Sequence, residues 1–285
     1  MSKGRGAERR LSAYSIEKRR RECSHPRLDA GFDGHAAWDA VYSRHPLALP
    51  ASTPDTVARA LVKLTGALQS LEDVRGLVLY GSLARGEYRV EESDVNLAVS
   101  LGRADAATLR ALHEPLRVAW RAVRVEPFVV RAAEVPRLAE AFPIKILDIH
   151  QHHVVLSGED PFAGVVVERP TLQKRTEQEL RNHLLRLRRH YVFSGDNAAL
   201  LAKAVYRSTT ALRYELGALL YLRGELVALS VPSVLSVAAR VLDLDADALA
   251  RLERFHAGNA DADLVQLFRA LMTLVERALA AVDAT

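Results

Sequence analysis

Two short segments of this sequence carry residues that can bind a phosphate group and a divalent cation. The first is Gly81-Ser82, which follows an apolar run at residues 77–80. Because glycine lets the backbone approach a ligand closely and the following turn offers free N–H groups, this segment predicts an anion-binding site. The second contains Asp94 and Asn96, which lie two residues apart and therefore on one face of a strand. Oxygen-bearing side chains beside a phosphate site are what Mg²⁺ chemistry on a triphosphate requires.

The order and spacing of these segments resemble those of the polymerase-β-like nucleotidyltransferase superfamily. In that superfamily Gly-Ser and a loop precede Asp-x-Asp on the next strand, and here eleven residues separate Ser82 from Asp94. The resemblance covers residues 54–285, specifically in the first hundred residues and only architecturally afterwards. The segments 142–149 and 155–161 look like the end of the nucleotidyltransferase domain in stand-alone bacterial members of the superfamily that have a fused helical domain. The resemblance implies transfer of a nucleoside monophosphate from an NTP, with ATP the expected donor, to an unidentified acceptor hydroxyl. Pyrophosphate would be released, and Mg²⁺ or Mn²⁺ is the implied cofactor.

The resemblance also implies which residues bind the nucleotide. Gly81 and Ser82 would hold the triphosphate, and Arg85 would meet its phosphates. Two of these residues have a structural alternative, because a serine here can cap a helix and an arginine in a first helical turn is commonly solvated. For Ser82 both roles use the same oxygen, so the sequence leaves them open.

The implied metal ligands are Asp94, Asn96 and Glu126, of which Asp94 and Glu126 are also the candidate catalytic residues. Glu126 would act as the base or as a further ligand. The structural alternatives are a turn carboxylate for Asp94 and a surface residue on a strand edge for Glu126. Asn96 departs from the family pattern, because the family has a metal-bridging carboxylate there and an amide offers only one neutral carbonyl oxygen. The sequence therefore predicts either a weakened metal site or nucleotide binding without catalysis.

The predicted elements place these residues in an α/β domain, since strands alternate with helices. The predicted strands are 77–80, 94–99, 123–130 and 144–149, and the predicted helices are 53–71, 106–123 and 132–141. Pro127 in the third strand predicts an edge position. The resemblance makes this an α/β (α+β) nucleotidyltransferase-like domain with a mixed sheet.

Beyond Pro170 no strand pattern remains, which predicts an all-α domain of bundle type. The helical runs cover residues 171–193, 197–223, 232–242, 246–257 and 262–283. The arginines of the first run either form a solvated face or, if they face a cleft between the domains, hold the outer phosphates of a nucleotide. The predicted organisation is a basic tail at 1–45, a nucleotidyltransferase-like domain at 46–165 and a helical domain at 166–285.

The positive charge of the chain is concentrated at its N-terminus. The formal net charge is +4, but residues 1–30 contain nine Lys or Arg against four acids, so the rest of the chain sums to −1. This composition predicts a disordered tail, for which solvation is favoured over contact with nucleic acid. There is no apolar run of bilayer length and no apolar signal region, and Cys23 is the only cysteine. We therefore expect a cytoplasmic protein without membrane contact.

Two other functions stay open at this stage. A catalytically inactive nucleotide-binding protein is the alternative that follows from Asn96. An antitoxin-like regulatory module is the other, although such members of the superfamily typically take their helices from a separate chain. His150, His152 and His153 suggest zinc, but no nearby cysteine or acid completes a tetrahedral set, which favours a polar strand end.

Overall fold

The computed structural model describes residues 47–90, 93–225, 230–259 and 263–284, and the predicted basic tail lies outside these ranges. The strands are β1 (Val74–Tyr80), β2 (Val95–Leu101), β3 (Val125–Arg131) and β4 (His153–Gly158). The helices are α1 (Asp55–Gln69), α2 (Ala106–Val123), α3 (Val135–Ala141), α4 (Pro143–Gln151), α5 (Arg169–Ser194), α6 (Ala198–Leu222), α7 (Val231–Val241), α8 (Ala246–His256) and α9 (Leu264–Asp283). A 3₁₀ turn, Ala132–Glu134, precedes α3.

The four strands of the described chain form one mixed sheet in the order β3-β2-β1-β4. β1 pairs antiparallel with β2 and β4, whereas β2 and β3 are parallel. The parallel pair is joined through α2, because a parallel connection needs a crossover that returns the chain to the same end of the sheet. Pro127 lies on β3, an edge strand, as its missing N–H predicts. The mixed sheet predicted for this region is therefore confirmed.

The two faces of the sheet contribute to different hydrophobic cores, because successive side chains of a strand point to opposite faces. One face packs against α1 and α2 and buries, among others, Leu79 and Leu97. The other packs against α3 and α4 and buries Val78 and Ala98. Side chains at even-numbered positions of β1, β2 and β3 therefore share the face covered by α3 and α4.

One predicted strand is wrong, because residues 144–149 belong to α4. Pro143 begins this helix, where a proline interrupts no helical hydrogen bond. Ile149 packs in the core beneath the sheet, whereas Leu147 packs in a second cluster with α5 and α6. A helix with apolar residues on two sides lacks a one-sided helical period, so its short apolar run resembles a buried strand.

The C-terminal helices α5–α9 enclose a core to which each of them contributes, which confirms the helical runs predicted beyond Pro170. Four of these helices begin at a polar residue whose side chain accepts a hydrogen bond from the first turn: Asn197, Ser230, Asp245 and Asp263. From Leu47 onward the described residues form one compact unit, and the domain boundary near residue 165 stays a prediction. Within the described ranges no helix has the length and apolar character needed to cross a membrane.

Candidate functional site

The Gly-Ser turn leaves the end of β1 in a conformation that requires glycine. Gly81 has a φ of +76°, in the left-handed region. A Cβ at this position would lie 2.5 Å from Nδ2 of Asn96, so any side chain here would collide with that amide. The N–H groups of Arg85 and Glu87 donate to the carbonyls of Gly81 and Ser82 at 3.1 and 2.8 Å. The segment after Ser82 therefore folds as successive turns rather than as a helix.

Asn96 and Glu126 lie side by side on the parallel strands β2 and β3. The strand register pairs Asn96 with Glu126 and, across the antiparallel pair, with Tyr80 of β1. All three side chains leave the face of the sheet that α3 and α4 cover. Glu126 is exposed and Asn96 is half-buried. The sheet thus brings together two predicted metal ligands that are thirty residues apart in the sequence.

Asp94, the third predicted ligand, is paired with a cation. It lies one residue before β2 and forms an ion pair with Arg124, which lies one residue before β3. The neighbouring backbone fixes this arrangement, because the Val95 N–H donates to the Arg124 carbonyl at 3.1 Å. The side chains of Asp94 and Arg124 are 37% and 43% exposed. A guanidinium therefore neutralises the carboxylate that the motif assigns to metal.

Arg85, the predicted phosphate ligand, is engaged by other groups of the protein. Its side chain is only 3% exposed, and Nη1 donates to Asp148 at 2.9 Å while Nε donates to Glu87 at 3.3 Å. The Tyr214 hydroxyl of α6 accepts from Arg85 at 3.5 Å and from Arg213 at 2.7 Å. Burial raises the pKa of Asp148, and the charge of Arg85 opposes that rise. Arg85 thus ties the Gly-Ser turn to α4 and α6.

Lys145 of α4 is a cation beside the site that the sequence analysis missed. Its Nζ lies 3.8 Å from the centroid of the Phe128 ring and 5.8 Å from that of Tyr80. Desolvation lowers the pKa of Lys145, and desolvation followed by the charge of Asp148 raises the pKa of Tyr80 to about 12. The two rings therefore hold an ammonium group near the sheet face that carries Glu126. Because residues 144–149 were predicted as a strand, nothing in the linear sequence pointed to this position.

The predicted metal ligands lack the negative charge and the bridging oxygen that a two-metal centre needs. Within the described ranges, no cluster of three or more His, Cys, Asp or Glu residues is placed to hold a metal ion. Asp94 is paired with Arg124, and the amide of Asn96 cannot bridge two cations. Glu126 and Asn96, which are paired in the strand register, supply one carboxylate and one amide oxygen, and these are ligand types that Mg²⁺ takes together with phosphate oxygens and water.

No family model and no curated protein matches this sequence. Membership of the nucleotidyltransferase superfamily therefore stays a prediction from the motifs. The register of β2 and β3, the turn at Gly81 and the pairing of Asp94 are observations that do not depend on it.

Two of the three histidines near β4 contact separate groups. His150 Nδ1 lies 3.0 Å from the Phe162 carbonyl oxygen. His153 lies between the Ile149 carbonyl oxygen at 2.8 Å and the Asp160 carboxylate at 2.9 Å. These contacts link the end of α4 to the loop that follows β4.

A buried histidine–carboxylate pair lies inside the helical core, where the sequence analysis assigned no function. His183 Nδ1 lies 2.7 Å from Glu215 Oε2, and the two side chains are 1% and 8% exposed. Arg186 lies 3.6 Å from the other carboxylate oxygen. Burial raises the pKa of Glu215, while the hydrogen bond and charge of His183 act in the opposite direction.

We expect Glu215→Gln to reduce the pH dependence of stability. A carboxyl whose pKa is higher in the folded than in the unfolded state contributes stability below the unfolded pKa, and this contribution is lost as pH rises through the folded pKa. The wild-type protein should therefore lose stability relative to Glu215→Gln as the pH rises from about 4. Urea unfolding of both proteins at a series of pH values measures this difference. Glu276→Gln, at an exposed position of α9, is the control. If the free energy of unfolding of Glu215→Gln changes with pH as steeply as that of the wild-type protein, the prediction is contradicted.

Proposed function

We propose that this protein transfers a nucleoside monophosphate from a nucleoside triphosphate to an acceptor hydroxyl, with release of pyrophosphate. The observation that carries the proposal is the register of β2 and β3, which aligns Asn96 with Glu126. Asp94 lies just before the start of β2, at the same end of the sheet as the turn at Gly81. A phosphate-binding turn beside a carboxylate pair is the arrangement that the motif resemblance implies for this reaction.

The triphosphate would bind between the Gly-Ser turn and α4. Gly81 allows the turn to pass directly against Asn96, because any side chain there would collide with the Asn96 amide. Lys145, whose ammonium group is held against two aromatic rings, supplies a positive charge near the same sheet face. Such a point charge suits phosphate oxygens. Arg85 contributes by fixing the turn, since its guanidinium is held by Asp148 and Glu87.

One Mg²⁺ or Mn²⁺ would be held by Glu126 and Asn96 together with the phosphates, with Asp94 at the margin of the site. A divalent ion there would neutralise the negative charge that develops on the phosphate oxygens. The protein's own residues position the reactants, which accounts for much of the catalysis of phosphoryl transfer.

Glu126 is the residue we assign to proton transfer. As the acceptor oxygen bonds to the α-phosphorus, the bond from that phosphorus to the oxygen bridging to the β-phosphate breaks and pyrophosphate leaves. The hydroxyl proton passes to the Glu126 carboxylate, which is exposed to an incoming acceptor. Within the described residues, no ion pair occupies this carboxylate, in contrast to that of Asp94.

A second candidate function is nucleotide binding without transfer. Two observations favour it, namely the amide at position 96 and the ion pair that neutralises Asp94. Both reduce the negative charge with which a catalytic metal centre is normally built. This candidate predicts affinity for a nucleoside triphosphate with no turnover in the presence of any acceptor.

The experiment that tests the proposal is a screen for pyrophosphate release. Each of the four common nucleoside triphosphates is incubated with the full-length protein, Mg²⁺ and pools of hydroxyl-bearing metabolites. We expect release that requires protein, metal and one pool together. Saturable nucleotide binding without release in any pool would select the second candidate, and absence of both would refute both.

A further inference from the structure

The ion pair between Asp94 and Arg124 is the part of the site that the nucleotidyltransferase pattern does not explain. Arg124 occupies the position before β3 that corresponds, in the parallel register, to Asp94 before β2. Both side chains are half-exposed, although the Asp94 oxygen that faces Arg124 is itself shielded from solvent. The Arg124 guanidinium therefore lies beside a carboxylate that the motif predicts as a metal ligand, and its positive charge is permanent.

The backbone holds this arginine in a fixed and unusual position. Arg124 ends α2 with φ 56° and ψ 51°, in the left-handed region that residues other than glycine seldom adopt. Its N–H donates to the Trp120 carbonyl at 2.8 Å, and its own carbonyl accepts from Val95 at 3.1 Å. Glycine or asparagine is the usual choice for such a helix end. The structure therefore anchors a large cation at a place where a small residue would be the easier solution.

We propose that Arg124 is a built-in counter-cation that takes the place of one of the two metal ions in the candidate site. The proposal rests on the proposed function and extends it to the charge balance of the site. Asp94, Glu126 and Arg124 together carry a charge of −1. This negative charge is too small to bind two divalent ions. The guanidinium and one metal–nucleotide complex then share the role that two metal ions have in the family pattern. In agreement, Asn96 is an amide at the position where a bridge between two ions would be needed.

If Arg124 is a counter-cation, a variant without its positive charge should bind metal more tightly and nucleotide more weakly. Arg124→Met frees Asp94 and removes a repulsive cation, so the affinity of the nucleotide-free protein for Mn²⁺ should rise about fivefold. Without divalent metal, the same variant should bind nucleoside triphosphate about fivefold more weakly, because it has lost a positive charge beside the phosphates. Arg124→Asn removes the same charge and tolerates the left-handed backbone, so it should behave alike if the methionine variant folds poorly.

The experiment is a pair of calorimetric titrations on the full-length protein. Mn²⁺ alone is titrated first, and then each common nucleoside triphosphate is titrated in the presence of EDTA. Arg124→Lys is the charge-conserving control and should retain wild-type behaviour in both titrations. Arg121→Met removes a positive charge from the last turn of the same helix and should also leave both affinities unchanged.

The outcomes separate this inference from the proposed function. An Mn²⁺ affinity that does not rise in Arg124→Met and Arg124→Asn, or that rises equally in Arg124→Lys, overturns the counter-cation. If the wild-type protein nevertheless binds a metal–nucleotide complex, the proposed function stands without it. A rise in Mn²⁺ affinity limited to the neutral variants, with no nucleotide bound by the wild type or by any variant, would show only that Arg124 neutralises Asp94. It would refute the proposed function, and with it the exchange of a metal ion for the guanidinium.

Discussion

Replacement of Arg85 by methionine should lower the free energy of unfolding by about 3 kcal/mol at neutral pH. Arg85 is almost fully buried, and its Nη1 donates to the buried carboxylate of Asp148 at 2.9 Å. Without it, Asp148 keeps only more distant partners among the described residues, such as the His152 ring at 3.9 Å. Burial already raises the pKa of Asp148 and Arg85 opposes that rise, so the variant should raise it further. The stability deficit should then shrink as the pH falls and Asp148 takes up a proton.

Urea unfolding of four proteins tests this role of Arg85 in a double-mutant cycle. The double variant Arg85→Met/Asp148→Asn should recover much of the stability that Arg85→Met loses, since no charge then remains buried without a partner. Arg117→Met breaks an exposed pair with Glu114 and should scarcely alter stability. A deficit in Arg85→Met no larger than in this control would show that the Arg85–Asp148 pair does not hold the Gly-Ser turn in place.

The substitution Glu126→Gln should reduce turnover about 100-fold, well beyond the roughly tenfold loss of metal–nucleotide affinity expected from removing one negative charge beside the metal. The reason is that the amide keeps the size of the side chain and an oxygen ligand, but it cannot accept the acceptor's proton. Glu126 is exposed on an edge strand, so the change should not affect folding. Single-turnover kinetics with the donor and acceptor found in the screen separate the chemical step from binding.

The matched control for Glu126 is Glu140→Gln, which removes an exposed carboxylate of α3 that is paired with Arg137. This variant should retain wild-type turnover. If Glu126→Gln turns over as fast as Glu140→Gln, then Glu126 has no part in proton transfer. If Glu126→Gln instead loses nucleotide affinity and turnover equally, its carboxylate acts through ground-state binding of the metal–nucleotide complex.

Local sequence signals predicted most of the helices and strands. The helix predicted at 106–123 has both of its ends where the structure has them, because Asp105 caps one end and a strand begins soon after the other. The edge position of β3 followed from Pro127. The segment 144–149 failed because α4 is buried against the sheet on one side and against α5 and α6 on the other. Its apolar residues therefore carry no helical period that a sequence could show.

The local parts of the candidate site could be predicted from residue types and spacing, and the more distant Glu126 only through the family resemblance. The Gly81-Ser82 turn and the strand that carries Asn96 are local properties, and both are present in the structure. Asp94 lies one residue before that strand, so a shared face with Asn96 stays a prediction. The cations of the site are contributed by distant segments. Arg124 reaches Asp94 through the parallel register, and Lys145 reaches the sheet through helix packing. Such pairings depend on tertiary structure, which no spacing rule in the linear sequence encodes.

The central claim is that the N-terminal ends of β2 and β3, beside the Gly-Ser turn, bind a metal–nucleoside triphosphate complex. Asn96→Asp tests it most directly, because the change adds one negative charge and a bridging oxygen with almost no change in volume. Equilibrium titration of the four common nucleoside triphosphates in Mg²⁺, against wild type and this variant, is the measurement. We expect saturable binding of at least one nucleotide by the wild-type protein and about tenfold tighter binding by Asn96→Asp, a gain of about 1.4 kcal/mol. Absence of nucleotide binding in both proteins would contradict the account, and equal affinities would show that position 96 does not face the metal.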